Sequence, residues 1–428
     1  MKIINLNQKS RQLKSLLDSG SSVDTTLEKR VSDIIAEVKN KGDKSLLNFT
    51  KKFDQVTLTS NTIKVSAKEI NEALKAIDPT YKKAAQKIKR NIERYYKEEK
   101  KYIKSGWKFK SGSKVLGQIT TPVESAGVYI PGGSAPLIST VFMTVIPAKI
   151  AGVKKIIAIS PPSKSKKINP YIIYTLNLLG IKDIYKAGGA QAIAALSFGT
   201  KTVPKVSKVC GPGNIYVALA KKQLSGIVGI DMLAGPSEVM ILSDSRANPE
   251  FIAADILSQA EHDPLSRAIL ITPSEVIAKK VKAVIATEIK KLPRRKIAEQ
   301  ALKSFGWIVI VKSIKQGIDL INELAPEHLE IMTKNPSALL PKIKNAGAIF
   351  LGDYTPVACG DFMAGPSHVL PTAGSAKFSS YLSLESFMKK SSFTYYDKKA
   401  LQKEGADIIK IAGLEGLAAH LNSIKVRI

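Results

Sequence analysis

The sequence predicts an α/β fold built on two parallel, doubly wound sheets, with a helical region before them and a small arm after them. Three observations carry this. From about Lys114 onward, short β-branched runs alternate with helix-length runs, the pattern of strand–helix–strand crossovers. The alternation comes as two successive series, so two sheets are expected. Finally, DMLAGPSEV at 231–239 and DFMAGPSHV at 361–369 share six of nine residues, as a duplicated α/β unit would.

The elements follow in order. The first 110 residues read as helical. Thr25 to Glu28 fits a capping box, and Gly42 is placed to stop the helix it opens. Ser66 with Glu69 repeats the box, and Asp78-Pro79 opens a Lys/Tyr-rich helix through about Lys101. The first series has strands GVYI (127–130), KIIAIS (155–160), DIYKAG (183–188) and KVSKVC (205–210). Its helices are STVFMTVIPAKIAGV, NPYIIYTLNLLGI and AQAIAALSFGT. The second series has strands EVMILSD, RAILITP, WIVIVK and AIFLGD, with helices PEFIAADILSQA, EVIAKKVKAVIATEIKKL and QGIDLINELA. Both Ala-Gly-Pro-Ser runs are expected in tight turns beside strand ends, where open α/β sheets bind ligands. From about Ser375 the pattern loosens into SSYLSLESFMKKSSFTYYD and a helical AGLEGLAAHLNSI. The expected division is therefore 1–113, 114–236, 237–375 and 376–428.

Composition narrows the function. The 428 residues are 44% hydrophobic and 6% aromatic, enough for a large core, which excludes disorder. No apolar run reaches the roughly 18 residues that span a bilayer. The longest candidate, 137–153, is broken by Pro147 and Lys149. The first twenty residues show no secretory pattern, so a cytoplasmic location without a membrane partner is expected. Cys210 and Cys359 form no disulfide framework and suit a reducing compartment. Both are expected as small buried thiols rather than nucleophiles. The net charge is +29, yet only nine of the 65 basic residues are arginine and the lysines are spread along the chain. Without a basic arm or recognition motif, this charge reads as solvated faces, with no specific nucleic-acid partner.

Four histidines occur, His262, His328, His368 and His420, and three stand beside other acid/base or ligand-type residues. In SQAEHDP, Gln259 and His262 are spaced i, i+3, so both reach one site from the last turn of a helix. In APEHLEI, Pro326 fits the first helical position, which puts Glu327 and His328 in a first turn. An adjacent carboxylate and imidazole are two proton-transfer groups whose pKa values can be set apart. Asp361, Ser367 and His368 share a Gly/Pro-rich loop. Three glycine loops, IPGGSAP (130–136), AGGAQA (187–192) and CGPGN (210–214), would let backbone amides approach phosphates. CGPGN sits between a strand and a helix, but it lacks the third glycine of a full dinucleotide fingerprint.

Taken together, GVYIPGGSAPLISTV, AGGAQAIAALSFGT, KVCGPGNIYVALAK, DMLAGPSEV, ILSQAEHDP, APEHLEI, GDFMAGPSHVLPTAG and EGLAAH resemble the histidinol dehydrogenase family. The likeness is dense over about 116–380; before that it extends only to helical character and length. It implies two incomplete Rossmann-like domains, the second carrying the metal and catalytic residues. It also implies a homodimer whose C-terminal arm completes the partner's active site. The implied reaction is the zinc-dependent, four-electron oxidation of L-histidinol to L-histidine through L-histidinaldehyde with two NAD, the last steps of histidine biosynthesis. Carried onto this chain, Glu327 and His328 are the acid/base pair. Gln259, His262, Asp361 and His420 are the ligands of one Zn2+ per subunit, with His420 from the partner subunit. Ser237, His368 and Glu415 help hold the substrate, and His328 and the metal ligands border it. Tyr129, Gln191 and Asn214 contact NAD. Such a nitrogen and oxygen ligand set also accepts manganese or cobalt.

Overall fold

The computed structural model describes residues 1–6, 25–132, 136–233 and 235–428. Strand β1 (Lys2–Asn5) precedes four helices, Thr25–Lys41, Asp43–Phe49, Ala67–Ala76 and Pro79–Tyr102. Then come β2 (Gly106–Ser111), β3 (Lys114–Pro122), β4 (Ser125–Tyr129), β5 (Lys155–Ser160), β6 (Ile184–Lys186), β7 (Lys208–Cys210) and β8 (Gly229–Ile230). The second series is β9 (Glu238–Ser243), β10 (Arg267–Thr272), β11 (Gly306–Ile310), β12 (His328–Met332) and β13 (Ala348–Leu351), and the tail adds β14 (Met388–Tyr396).

Two of the three sheets are parallel and share one winding. The first runs β6–β5–β4–β7–β8. The chain enters at β4, winds out to β6, and returns to the other side of β4. The second runs β11–β10–β9–β12–β13 with the same logic, and β1 joins its outer edge beside β11. Apart from that added edge, each unit has five strands, an incomplete Rossmann-like winding with its switch point beside the central strand.

Side-chain alternation fixes what covers each face. In the first sheet Ala126, Val128, Ile156 and Ala158 pack toward helices Pro79–Tyr102, Ile138–Ala151 and Pro170–Leu178. Ile157 and Ile159 pack toward Thr25–Lys41, Gly189–Phe198 and Ile215–Leu224. In the second sheet Val239, Ile241, Ala268 and Leu270 meet helices Pro249–Ala260, Glu275–Glu288 and Arg295–Phe305. Met240, Leu242, Leu329 and Ile331 meet helix Ile314–Leu324.

Local signals act as expected at several helix ends. Ser66 and Glu69 form the capping box, and Asp78 caps helix Pro79–Tyr102. Gly42, at φ 55, separates two helices. Four expectations change. Lys2–Asn5 is a strand rather than part of a helical region, because it pairs with β11. His328–Met332 is a fully buried strand with a neighbour on each side, not a helix start. Ala325, at φ 53, ends the preceding helix, and β9 and β13 capture HLEIM on both sides. The loosely patterned tail contributes β14, which pairs antiparallel with β3 and through it with β2. The last helical run is split into Lys398–Leu414 and Ala418–Lys425 around Gly416 at φ 72. Residues 133–135 of IPGGSAP and Ala234 of the first Ala-Gly-Pro-Ser run lie outside the described residues. No helix among the described residues is long and apolar enough to cross a membrane.

Candidate active site

Glu238 and His328 open β9 and β12, the neighbours at the second switch point. Glu327 directly precedes β12. Glu238 N–H donates to Glu327 Oε2 at 2.9 Å, and Glu327 N–H donates to Glu238 Oε1 at 3.2 Å. Ala373 N–H also donates to Glu238 Oε1, at 3.0 Å. Each carboxylate thus satisfies the other's backbone, and Glu327 is fixed at the strand edge. Burial, then the charges of Glu238 and Asp361, push the Glu327 carboxyl well above the usual range.

The tautomer of His328 follows from its partner. Nδ1 lies 2.9 Å from the Glu238 carbonyl oxygen. A carbonyl only accepts, so Nδ1 carries the proton and Nε2 presents a lone pair. Nε2 is buried, has no hydrogen-bond partner among the described residues, and lies 3.9 Å from Asp361 Oδ1. Burial lowers the His328 pKa to about 4, so the ring is neutral at neutral pH.

Asp361 sits in the wide helical turn Gly360–Ala364, and desolvation raises its carboxyl to about 7. Gly360 lets this turn lie on β13: a Cβ there would stand 2.6 Å from the Phe350 ring. His368 Nδ1 is 3.1 Å from the Asp361 carbonyl, and its Nε2 is 3.3 Å from Thr140 Oγ1 in the first unit. Burial lowers its pKa to about 4. His262 lies just past helix Pro249–Ala260, its N–H donating to the Gln259 carbonyl at 3.3 Å. The residue is exposed at its outer edge, yet near enough to His328 and His368 to oppose their protonation. Gln259 is buried one turn earlier. Ser237, half-buried, adjoins Glu238. Glu327, His328, His262, Asp361 and His368 therefore converge, with Ser237 and Gln259 on the adjoining residues.

Glu415 and His420 do not join them within one chain. Both are exposed in the C-terminal helical pair, and no hydrogen bond or ion pair among the described residues ties either to that cluster. The described residues hold no ready-made group of three or more His, Cys, Asp or Glu side chains for a metal ion. Cys210 is buried, and burial pushes its thiol up, which removes it as a nucleophile. Cys359 is exposed rather than buried, because its short helical turn faces outward there.

A second cluster occupies the carboxyl edge of the first sheet. Tyr129 ends β4, is buried, and accepts from Gly189 N–H at 3.2 Å. Gln191 is buried in the first turn of helix Gly189–Phe198. Asn214 caps helix Ile215–Leu224 through Oδ1. In CGPGN, Gly211 has φ 114, and a Cβ there would stand 2.2 Å from the Tyr129 carbonyl oxygen. Sequence reasoning missed Asp54. It comes from the N-terminal region to lie beside Gly188 and Tyr129, and burial raises it to about 6. Nothing local to FDQ signals that placement. Of the two Ala-Gly-Pro-Ser runs, the second differs from expectation. The first leads into the amino end of β9, and the second follows the Gly360–Ala364 turn instead of a strand.

Comparison with known proteins matches residues 18–428 to the family model described as histidinol dehydrogenase. A histidinol dehydrogenase of Clostridium acetobutylicum is 48% identical over 418 residues, 97% of this chain and 96% of the relative. One from Listeria innocua is 47% identical over 412 residues, 96% and 95% of the two chains. The crystal structure of histidinol dehydrogenase from Elizabethkingia anophelis superposes with a TM-score of 0.92 at 41% identity, covering 100% of this chain and 98% of the other.

Proposed function

The chain belongs to the histidinol dehydrogenase family of oxidoreductases, and on that premise we propose that it oxidises L-histidinol to L-histidine in two NAD-dependent steps with one Zn2+ per subunit. The observation that carries the reading is His328 Nε2, an unprotonated, buried nitrogen with no partner among the described residues, beside Glu327 and Asp361.

The residues present fit the metal. Imidazole nitrogen, carboxylate and amide oxygen are donors that zinc accepts. The Asp361 carboxyl accepts no hydrogen bond among the described residues and is partly buried, a position that a cation would satisfy. Gln259, His262 and Asp361, with His420 of the partner subunit, would hold it. Bound zinc would supply a Lewis-acidic template that orients the substrate. Bound NAD supplies the hydride acceptor; Tyr129, Gln191 and Asn214 line its proposed place, where helix N-termini suit a pyrophosphate.

The chain's own residues do the rest. His328 Nε2 takes the carbinol proton, and its Nδ1–H bond to the Glu238 carbonyl keeps the ring aimed as it charges. Glu327, held through Oε2 by Glu238 N–H, keeps Oε1 to activate the water that hydrates the aldehyde. His328 then assists the second oxidation. Ser237 and His368 orient the substrate, as does Glu415 of the partner subunit. Burial of the dyad keeps bulk water from the aldehyde. Exposure of Glu415 and His420 leaves them available to a second subunit, which supports an active site shared across a homodimer. The cytoplasm, with its supply of NAD, is the location this reading favours.

The test is NADH formation from L-histidinol and NAD, before and after chelation and zinc add-back. Two NADH per histidinol, lost on chelation and restored by zinc, is the expected outcome. Glu327→Gln should lower turnover by about 10²–10⁴-fold, the usual share of acid–base catalysis, at unchanged zinc content. No NADH from zinc-loaded protein would make another polar alcohol the substrate, and near-normal turnover of Glu327→Gln would remove Glu327 from the chemistry.

A further inference from the structure

The Lys/Tyr-rich helix Pro79–Tyr102 takes no part in the proposed chemistry, yet it grips the loop that carries His368. Asn91, Tyr95 and Glu99 recur every four residues and Tyr96 adjoins them, so the four share one side of the helix. Asn91 Nδ2 donates to the Met363 carbonyl at 3.0 Å. Ser367 N–H, next to His368, donates to the Tyr96 hydroxyl oxygen at 3.1 Å. That hydroxyl donates in turn to the Leu382 carbonyl at 2.9 Å. Gly365, at φ 134, lets the loop lie on the helix, since a Cβ there would stand 2.7 Å from Tyr95 Cβ. The root of the C-terminal segment is fixed from the same side. The Tyr381 and Tyr95 hydroxyls meet at 2.9 Å, and Leu384 N–H donates to Glu99 Oε1 at 3.3 Å.

Tyr96 is 0% exposed, and each side of its hydroxyl has one task. The Leu382 carbonyl only accepts, so the phenol proton points there and a lone pair is left for Ser367 N–H. Ser367 is itself buried, and a buried N–H without an acceptor is costly, so the loop backbone is held to that oxygen. We propose that Tyr96, together with Asn91, is a positioning residue for substrate binding: it sets the backbone from which the His368 ring projects. It touches neither substrate nor cofactor and acts only through the loop. The proposal rests on the reading that His368 orients the substrate. The same helix supplies a comparison, because the Tyr81 hydroxyl meets Thr175 Oγ1 at 2.6 Å, on helix Pro170–Leu178 rather than on the loop.

The test compares Tyr96→Phe, Asn91→Ala and Tyr81→Phe in the full-length enzyme. It reads kcat and KM for both substrates beside the ring C–H NMR signal of His368, one of only four histidines and assigned through His368→Asn. Tyr96→Phe keeps the ring but leaves Ser367 N–H and the Leu382 carbonyl unpaired. The His368 signal should move, and kcat/KM for L-histidinol should fall about 10–100-fold, the scale of a misplacement of up to about 1 Å. The KM for NAD should hold, because its proposed contacts lie on the first sheet. Asn91→Ala removes one bond to the same loop, should act in the same direction more weakly, and serves if Tyr96→Phe does not fold. Tyr81→Phe removes a tyrosine hydrogen bond from the same helix and should leave both readouts at wild type. An unmoved His368 signal in Tyr96→Phe, wild-type kcat/KM in that variant, or an equal loss in Tyr81→Phe overturns the proposal. If the wild-type protein makes no NADH from L-histidinol, the functional reading has failed instead, and the His368 signal alone decides the positioning role.

Discussion

Replacing Lys221 with methionine should cost about 3 kcal/mol of stability, for reasons the loop CGPGN makes visible. Lys221 is 1% exposed in helix Ile215–Leu224, and its ammonium pairs with Asp231, whose side chain is wholly buried. Both hold Gly211. Lys221 Nζ donates to the Gly211 carbonyl at 3.2 Å, and Gly211 N–H donates to Asp231 Oδ2 at 2.8 Å. Methionine fills the volume but strands a buried carboxylate, which costs roughly 3–5 kcal/mol. Gly211 N–H and Met232 N–H still reach Asp231, which argues for the low end of that range. About 3 kcal/mol is a factor of more than 100 in the folding equilibrium. The assay is urea unfolding, where the midpoint should fall at constant slope. Adding Asp231→Asn should recover part of the loss, because the stranded charge is gone. With the loop slackened, the KM for NAD should rise while kcat at saturating NAD holds, the mark of lost uniform binding. A loss under about 1 kcal/mol, within the range of an exposed pair, would refute the reasoning.

Two further perturbations probe the edges of the site. Gly360→Ala drives a Cβ to 2.6 Å from the Phe350 ring. Overpacking should cost about 1–3 kcal/mol and lower zinc content by moving Asp361. Phe350→Leu in the same chain should restore both, and thermal unfolding with metal analysis reads the pair. Asp54→Asn tests the buried carboxyl at the first sheet. Its folded pKa, about 6, lies above the ordinary 3.8 because burial opposes its charge. The folded state is therefore favoured below 3.8 and loses that advantage as pH rises through about 6. Asparagine can still accept from Gly188, so the variant should melt higher than wild type above pH 6 and alike below 3.8. A lower melting temperature above pH 6 would mean the carboxylate is stabilised there by something other than Gly188.

What was legible in the sequence was whatever neighbouring residues decide. Ser66 with Glu69, Asp78 with Pro79, and Gly42 act within one helical turn, and they stand where their chemistry puts them. The strand series and the duplicated motif revealed two sheets because periodicity survives without tertiary contacts. The remainder depends on distant pairing. Lys2–Asn5 is too short to declare itself and becomes a strand only beside Gly306–Ile310. Met388–Tyr396 reads as loose polar chain until Lys114–Pro122 pairs with it. Pro326-Glu327-His328 reads from its own residues as a helix start, and pairing with β9 and β13 makes it a strand start instead. The types of the site residues were legible, since few histidines exist to choose from. The orientation of His328 was not, because it is set by a backbone carbonyl ninety residues away.

The two sheets share one winding but use opposite edges, and the polarity of parallel α/β structure accounts for the division. Helix N-termini gather at the carboxyl edge of a parallel sheet, and helix C-termini at the amino edge. On the first sheet Tyr129, Gln191 and Asn214 stand at the carboxyl edge, where helix N-termini favour anions such as a dinucleotide's phosphates. On the second sheet Glu238 and His328 begin their strands, and Gln259 arrives on the last turn of its helix. That edge carries partial negative charge from helix C-termini and so favours a cation. His368 to Thr140 and Ser367 to the Met143 carbonyl tie the two edges together. Had both copies used the carboxyl edge, as single doubly wound sheets do, two sites suited to anions would have faced the substrate. Turning one copy end for end sets an anion-favouring edge of one sheet and a cation-favouring edge of the other to work without changing the winding of either.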